Sequence, residues 1–168
     1  MRAPQVYWLI EMSGMAYGLF ADMLGTPNQY RGMLFGSTGR PGCADPKPMW
    51  DFWDAFGIEA SDMVGWWLEE SPVTVIGGGD PFAGEDAVLA TSYVIPGNRT
   101  LVALASWAAT DVAVQLKVDW SALGLDPRQV TTMTAPRIAN FQAEKSWPVG
   151  ALVMVGRGKG YLLVLGAS

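Results

Sequence analysis

The sequence predicts an α+β chain in two parts. Residues 1–72 read as the C-terminal remnant of a (β/α) barrel, and residues 73–168 as an antiparallel β-sandwich. Three observations predict this. Before residue 72, apolar strand-like runs and a helical segment follow one another in the βα order of an α/β domain. Those runs are too few to close a sheet covered on both faces, so the remaining strands are expected upstream of Met1. After residue 72, short strand-like runs recur between turn signals, as in a sandwich or barrel.

The first run is Val6-Tyr7-Trp8-Leu9-Ile10, followed by Glu11. It is apolar on both parities, the pattern of a strand buried on both faces. Residues 19–24 read as a short helix, and Gly25-Thr26-Pro27-Asn28 as a loop. Residues 31–36 read as a second buried strand, and residues 37–46 as a loop rich in Gly and Pro. Pro48 then opens a helix, where its missing N–H costs nothing. Met49, Phe52, Trp53 and Phe56 recur at helical spacing and form its apolar face, with Asp51 and Asp54 pointing away. Gly57 stands where a left-handed C-terminal residue would stop it.

Residues 58–72 read as a transition carrying Trp66-Trp67 and Glu69-Glu70, and residues 77–81 as a flexible loop. Residues 88–95 and 101–107 read as two strands joined by the turn Pro96-Gly97-Asn98-Arg99. In residues 111–119, Val112, Val114, Leu116 and Val118 alternate with polar or small residues. This is a half-buried strand that should leave Gln115 and Lys117 in water. Residues 120–127 read as a turn or short helical bend. Residues 130–134, 151–155 and 161–165 supply three more strands.

Composition removes several chemistries. The 168 residues include no His and one Cys, Cys43. That excludes Ser-His-Asp and Cys-His nucleophile systems, His-based or cysteine-cluster metal sites, and an intrachain disulfide. No metal or cofactor is expected, so any chemistry must use carboxylates, Arg, Lys, Tyr or the backbone. A net charge of −5 argues against a nucleic-acid partner, which needs a basic surface. No apolar run reaches the length of about 18 residues that a membrane span needs, so no membrane partner is expected. The N-terminus lacks a signal-peptide core, and localisation is not legible from it. Eight tryptophans are many for this length. Flat rings match the apolar face of a sugar, and they also bury large area in cores.

Four residues stand out as site candidates. Glu11 follows a buried strand, where α/β barrels place catalytic groups. The plainer reading is an ion-paired or capping carboxylate. Glycoside hydrolysis uses two carboxylates, and Asp22 and Asp45 are weaker candidates for the second. Arg40 could hold a carboxylate or hydroxyl of a substrate with its fork of donors, or form a structural salt bridge. Trp66 and Trp67 are candidates for stacking on a sugar. On a strand they would face opposite ways, one into the core and one outward. Asp80, Glu85 and Asp86 lie in a loop that reads as solvated, since their spacing matches no calcium motif. Gly156-Arg157-Gly158-Lys159-Gly160 reads as a turn into the last strand, because no helix comes after it to meet a phosphate.

Several stretches taken together carry a family resemblance. They are Tyr7-Trp8-Leu9-Ile10-Glu11, Gly18-Leu19-Phe20-Ala21-Asp22-Met23-Leu24 and Arg31-Gly32-Met33-Leu34-Phe35-Gly36. Met49-Trp50-Asp51-Phe52-Trp53-Asp54-Ala55-Phe56-Gly57-Ile58, Met63-Val64-Gly65-Trp66-Trp67 and Val88-Leu89-Ala90-Thr91 continue the series. Leu101-Val102-Ala103-Leu104-Ala105-Ser106-Trp107 and Asp119-Trp120-Ser121-Ala122-Leu123-Gly124-Leu125-Asp126 complete it. In this order they resemble the C-terminal third of large bacterial proteins described as glycoside hydrolase family 123-like. The resemblance implies a barrel-like catalytic domain followed by a C-terminal β-sandwich. It implies action on N-acetylhexosamine glycosides, with the substrate's acetamido group as nucleophile and an acidic pair upstream of Met1. The chain is then expected to be an inactive fragment whose partners are carbohydrate and the upstream part of the same polypeptide. The alternative is a non-catalytic carbohydrate-binding or scaffolding β-sandwich.

Overall fold

A computed structural model describes residues 29–36, 45, 47–83 and 85–166. Its helices are α1 (Gln29–Met33), α2 (Lys47–Phe56) and α3 (Trp120–Leu123), with 3-10 turns at Ile58–Ala60 and Pro81–Ala83. Its strands are β1 (Asp62–Val64), β2 (Val73–Ile76), β3 (Val88–Ile95), β4 (Arg99–Ser106), β5 (Val112–Val118), β6 (Thr132–Ala135), β7 (Lys145–Pro148), β8 (Leu152–Val155) and β9 (Gly160–Gly166). They form a six-stranded sheet in the order β1-β3-β4-β9-β6-β7 and a three-stranded sheet in the order β2-β5-β8. Every strand pairing among the described residues is antiparallel.

The sequence pattern of β3 and β4 explains the layering. Both strands are buried at nearly every position, so neither face of the six-stranded sheet at its centre is wet. Val88, Ala90, Val94, Val102 and Leu104 point toward the small sheet. There they meet Val73, Val114, Leu116, Val153 and Val155. Leu89, Tyr93, Leu101, Ala103 and Ala105 point the other way. They meet Met33, Leu34, Phe35, Met49 and Phe56 from α1, the turn after it, and α2. The result is three layers: helices, large sheet, small sheet. The cores on the two faces of the large sheet arise from period-two alternation along each of its central strands.

Helix α2 behaves as its sequence predicts. Met49 and Phe56 are buried, Asp51 and Asp54 are exposed, and Gly57 takes φ 75° at the stop. Helix α3 is the expected bend after β5. Asp119 caps it by accepting a hydrogen bond from Ala122 N at 3.1 Å.

The run at residues 31–36 is a correction. It is not a strand: α1 ends at Met33 and a turn runs through Gly36, at φ 70°. Met33, Leu34 and Phe35 are all buried, as the apolar run required. A short apolar run is compatible with a buried helical turn as well as with a strand, and periodicity alone does not separate them. The turn is pinned to β3, where Tyr93 Oη donates to Met33 O at 2.6 Å and Thr91 Oγ1 donates to Leu34 O at 2.8 Å.

Three short strands are not legible in the sequence. β1 and β2 have only three and four residues, although β2 alternates in burial, with Val73 buried and Thr74 and Ile76 exposed. β7 buries only Trp147 and ends on Pro148, which suits an edge strand. β1 pairs with β3, so the polypeptide on either side of residue 72 shares one sheet. In β5, Val114 and Leu116 are buried and Lys117 is exposed as expected, while Val112 and Val118 are half-buried. Gln115 departs from expectation. It is half-buried because its side-chain amide donates to Gly150 O. The segment 156–160 is the expected turn into the last strand, closed by Lys159 N donating to Gly156 O. Residues 6–11 and 19–28, with the strand and helix expected there, lie outside the described residues.

Candidate functional site

The segment between β1 and β2 starts with Gly65, and this glycine sets the position of the tryptophan pair. A Cβ at Gly65 would lie 2.4 Å from the Trp67 indole, so the ring of Trp67 folds back across the glycine backbone. Trp66 and Trp67 lie in a turn, so strand alternation does not apply to them. Neither is fully buried or fully outward. Both are half-buried against the helix-side core, edge to face with each other at 5.8 Å. Phe35 stacks on Trp67 at 6.0 Å and meets Trp66 edge-on at 6.4 Å. Trp66 is fixed to the sheet by its backbone N–H, which donates to Thr91 Oγ1 at 3.3 Å. One buried hydroxyl therefore joins three segments: the β1–β2 turn, β3, and the turn after α1.

Phe82 completes the site. Its ring is 65% exposed and lies 5.6 Å from the Trp66 ring. The loop that carries it explains the acidic residues near Gly77-Gly78-Gly79. Asp80 Oδ1 accepts from Phe82 N at 2.8 Å and from Ala83 N at 3.3 Å, capping the 3-10 turn. Glu85 Oε2 accepts from Asp80 N at 2.8 Å. Gly77 and Gly79 take positive φ, 81° and 82°, which lets the chain reverse. Asp80 and Glu85 thus organise the loop, and Asp86 is exposed.

Trp66 and Phe82 form a ledge over a cleft of about 170 Å³ whose walls include Thr74, Gly79, Pro81 and Val88. Aromatic faces of this kind can stack on the C–H face of a sugar ring, with nearby polar groups orienting it. Neither Thr91 nor Phe82 stands out in the sequence. A single Thr inside an apolar run and a single Phe in a Gly-rich loop acquire meaning only through what folds beside them.

A second cleft, of about 400 Å³, lies where α2 leaves part of the large sheet uncovered. Its walls include Phe52, Phe56, Asn98, Arg99, Thr132 and Thr134. Among the described residues, no Asp or Glu lines either cleft. Among the described residues, no group of three or more His, Cys, Asp or Glu side chains could hold a metal ion. No described helix is long and apolar enough to cross a membrane.

Of the candidates from sequence, the structure brings Trp66 and Trp67 together, while Glu11, Asp22 and Arg40 lie outside the described residues. Asp45 is exposed and accepts from Lys47 N at 3.0 Å at the start of α2. Residues 45–166 match the family model of the glycoside hydrolase 123 C-terminal domain, and residues 2–42 match that of the glycoside hydrolase 123 TIM-barrel domain. Neither the curated proteins nor the solved structures give a match.

Proposed function

Because the chain belongs to glycoside hydrolase family 123, we propose that it is the sugar-contacting C-terminal part of a glycosidase-type protein and does not itself hydrolyse a glycosidic bond. One observation carries this reading. Glycoside hydrolysis needs an acid and a second carboxyl-type group across the bond, and none of the described residues lining either cleft is a carboxylate. The aromatic ledge of Trp66 and Phe82 supports a binding role. In this reading residues 2–42 belong to the end of a barrel. A complete (β/α) barrel takes about 250 residues, so the catalytic groups would come from further polypeptide upstream. Glu11 and Arg40 remain candidates for the barrel side of the site, with N-acetylhexosaminides as the substrate class.

The test is a pair of measurements on the purified chain. With chromogenic N-acetylhexosaminides, no turnover above background is expected. With diacetylchitobiose, tryptophan resonances of the ledge should shift in NMR spectra, and Phe82→Ala should abolish the shift. Turnover lost in Glu11→Gln would overturn the non-catalytic reading. Absence of any ledge shift would overturn the binding reading. A second reading, a scaffolding module, is favoured by Ile76, Leu152 and Met154, which stand 51%, 67% and 52% exposed on the outer face of the small sheet.

A further inference from the structure

The larger cleft holds a cation, Arg99, that forms no ion pair among the described residues. Arg99 opens β4 and is half-buried beneath the end of α2. Its Nη2 donates to Ala55 O at 3.4 Å, and its guanidinium carbon lies 5.3 Å from the centre of the Phe56 ring. The helix end therefore takes one of its five N–H donors, by a long bond. Its Nε is buried and has no hydrogen-bond partner among the described residues. The ion pairs among the described residues are Lys47–Asp51 and Arg128–Asp126, and neither involves Arg99. A half-buried guanidinium ordinarily finds a carboxylate, because its fork of donors matches one.

The cleft around it suits such a group. Its opposite side is the uncovered part of the large sheet, where Thr132 and Thr134 of β6 contribute hydroxyls. Thr134 Oγ1 is 3.1 Å from Ser146 Oγ of β7, so the hydroxyl row continues across the edge of the sheet. Phe52 and Phe56 give an apolar wall. Gly166 is paired with Arg99 across the ladder, and a Cβ there would come within 3.0 Å of Arg99 Cβ. The glycine keeps the wall beside the arginine open.

We propose that this cleft binds a carboxylate-bearing sugar of the uronic-acid class, with the carboxylate on Arg99 and the ring hydroxyls toward Thr132, Thr134 and Asn98. The carboxylate part stands on Arg99 alone. The sugar part rests on the carbohydrate reading above, although this site is distinct from the Trp66–Phe82 ledge.

The experiment is a titration of the whole 168-residue chain, followed by amide resonances, with three probes: glucuronate, its neutral methyl ester and acetate. Glucuronate should shift the resonances of Asn98, Arg99, Thr132 and Thr134, and the ester should bind about tenfold more weakly or worse, the worth of a charge-assisted hydrogen bond. Arg99→Gln should abolish the response. Thr134→Val should weaken glucuronate binding and leave acetate binding unchanged. This second variant, together with the ester, keeps the test intact if Arg99→Gln fails to fold. Phe82→Ala should leave glucuronate binding unchanged, which separates this site from the ledge. Acetate matching glucuronate in affinity would overturn the sugar part and keep the carboxylate part. Equal binding of ester and acid, no shift with either anion, or a response that survives in Arg99→Gln would overturn the proposal.

Discussion

Leu116→Ala should cost this protein a large part of its stability, and Gln115→Ala only a little. Leu116 is 3% exposed and sits between the two sheets, paired with Val75 across the ladder and packed in the same cluster as Val114, Val153 and Val155. Truncating such a side chain removes its transfer free energy and leaves a cavity, typically about 2–5 kcal/mol together. Domains of ordinary stability have about 5–15 kcal/mol in total. Gln115 points the other way. Its loss removes one hydrogen bond to Gly150 O from a half-exposed site, worth about 0.5–1.5 kcal/mol. Because helices cover the far face of the large sheet, the comparison belongs in the whole chain. Urea denaturation reads it directly. With a slope of about 1–3 kcal/mol per molar, a loss of about 3 kcal/mol lowers the midpoint by about 1–3 M. The Gln115→Ala midpoint should fall several times less. Equal shifts, or a larger shift for Gln115→Ala, would refute the assignment of which face of β5 is buried.

Gly160→Ala should destabilise more than its single methyl suggests. The added carbon would lie 1.9 Å from Leu104 O and 2.8 Å from Tyr30 Cβ, and the carbonyl belongs to a paired strand that cannot yield. Overpacking costs about 1–3 kcal/mol or more, and a thermal midpoint within error of the parent would count against this packing. Thr91→Val should cost about 1–3 kcal/mol, because it strips Leu34 O and Trp66 N of a partner in a buried place; a neutral result in denaturation would mean those groups find water. Stability should fall as pH rises above about 10, the ordinary tyrosine value. Burial raises the Tyr30 hydroxyl to about 12 and raises that of Tyr93 as well. The unfolded chain therefore loses these protons first, and the folded state's advantage disappears as pH climbs through the folded values. Tyrosinate absorbance should show at least two phenols titrating only with unfolding, and ordinary titration of all of them would contradict their burial. Residues 1–70 expressed alone should aggregate, since Met33, Leu34, Phe35, Met49 and Phe56 bury against β3, β4 and β9; a monomeric piece with a cooperative melt would show that this half folds unaided.

The amino-acid sequence by itself determined those elements whose pattern is local. β3, β4, β5, β9 and α2 are long enough for their period to be read, and Pro48, Gly57 and the turn at residues 96–99 mark their ends. It also settled the chemistry this chain cannot perform, since the absence of histidine needs no coordinates. The helix at residues 29–33 and the short strands β1, β2 and β7 were decided by tertiary contacts. Unlike the equally short β6 and β8, which read as strands at residues 130–134 and 151–155, these segments carry no clear period or turn signal, and their state is fixed by what they pair with or pack against. The two clefts belong to the same category. Trp66 was legible as a candidate because tryptophan is conspicuous. Phe82 joins it through a loop that Asp80 and Glu85 hold in shape, and Arg99 meets Phe56 and shares a cleft with Thr134 across long separations in the chain. Such sites arise from proximity between residues distant in sequence, and proximity is what the packing of three layers supplies.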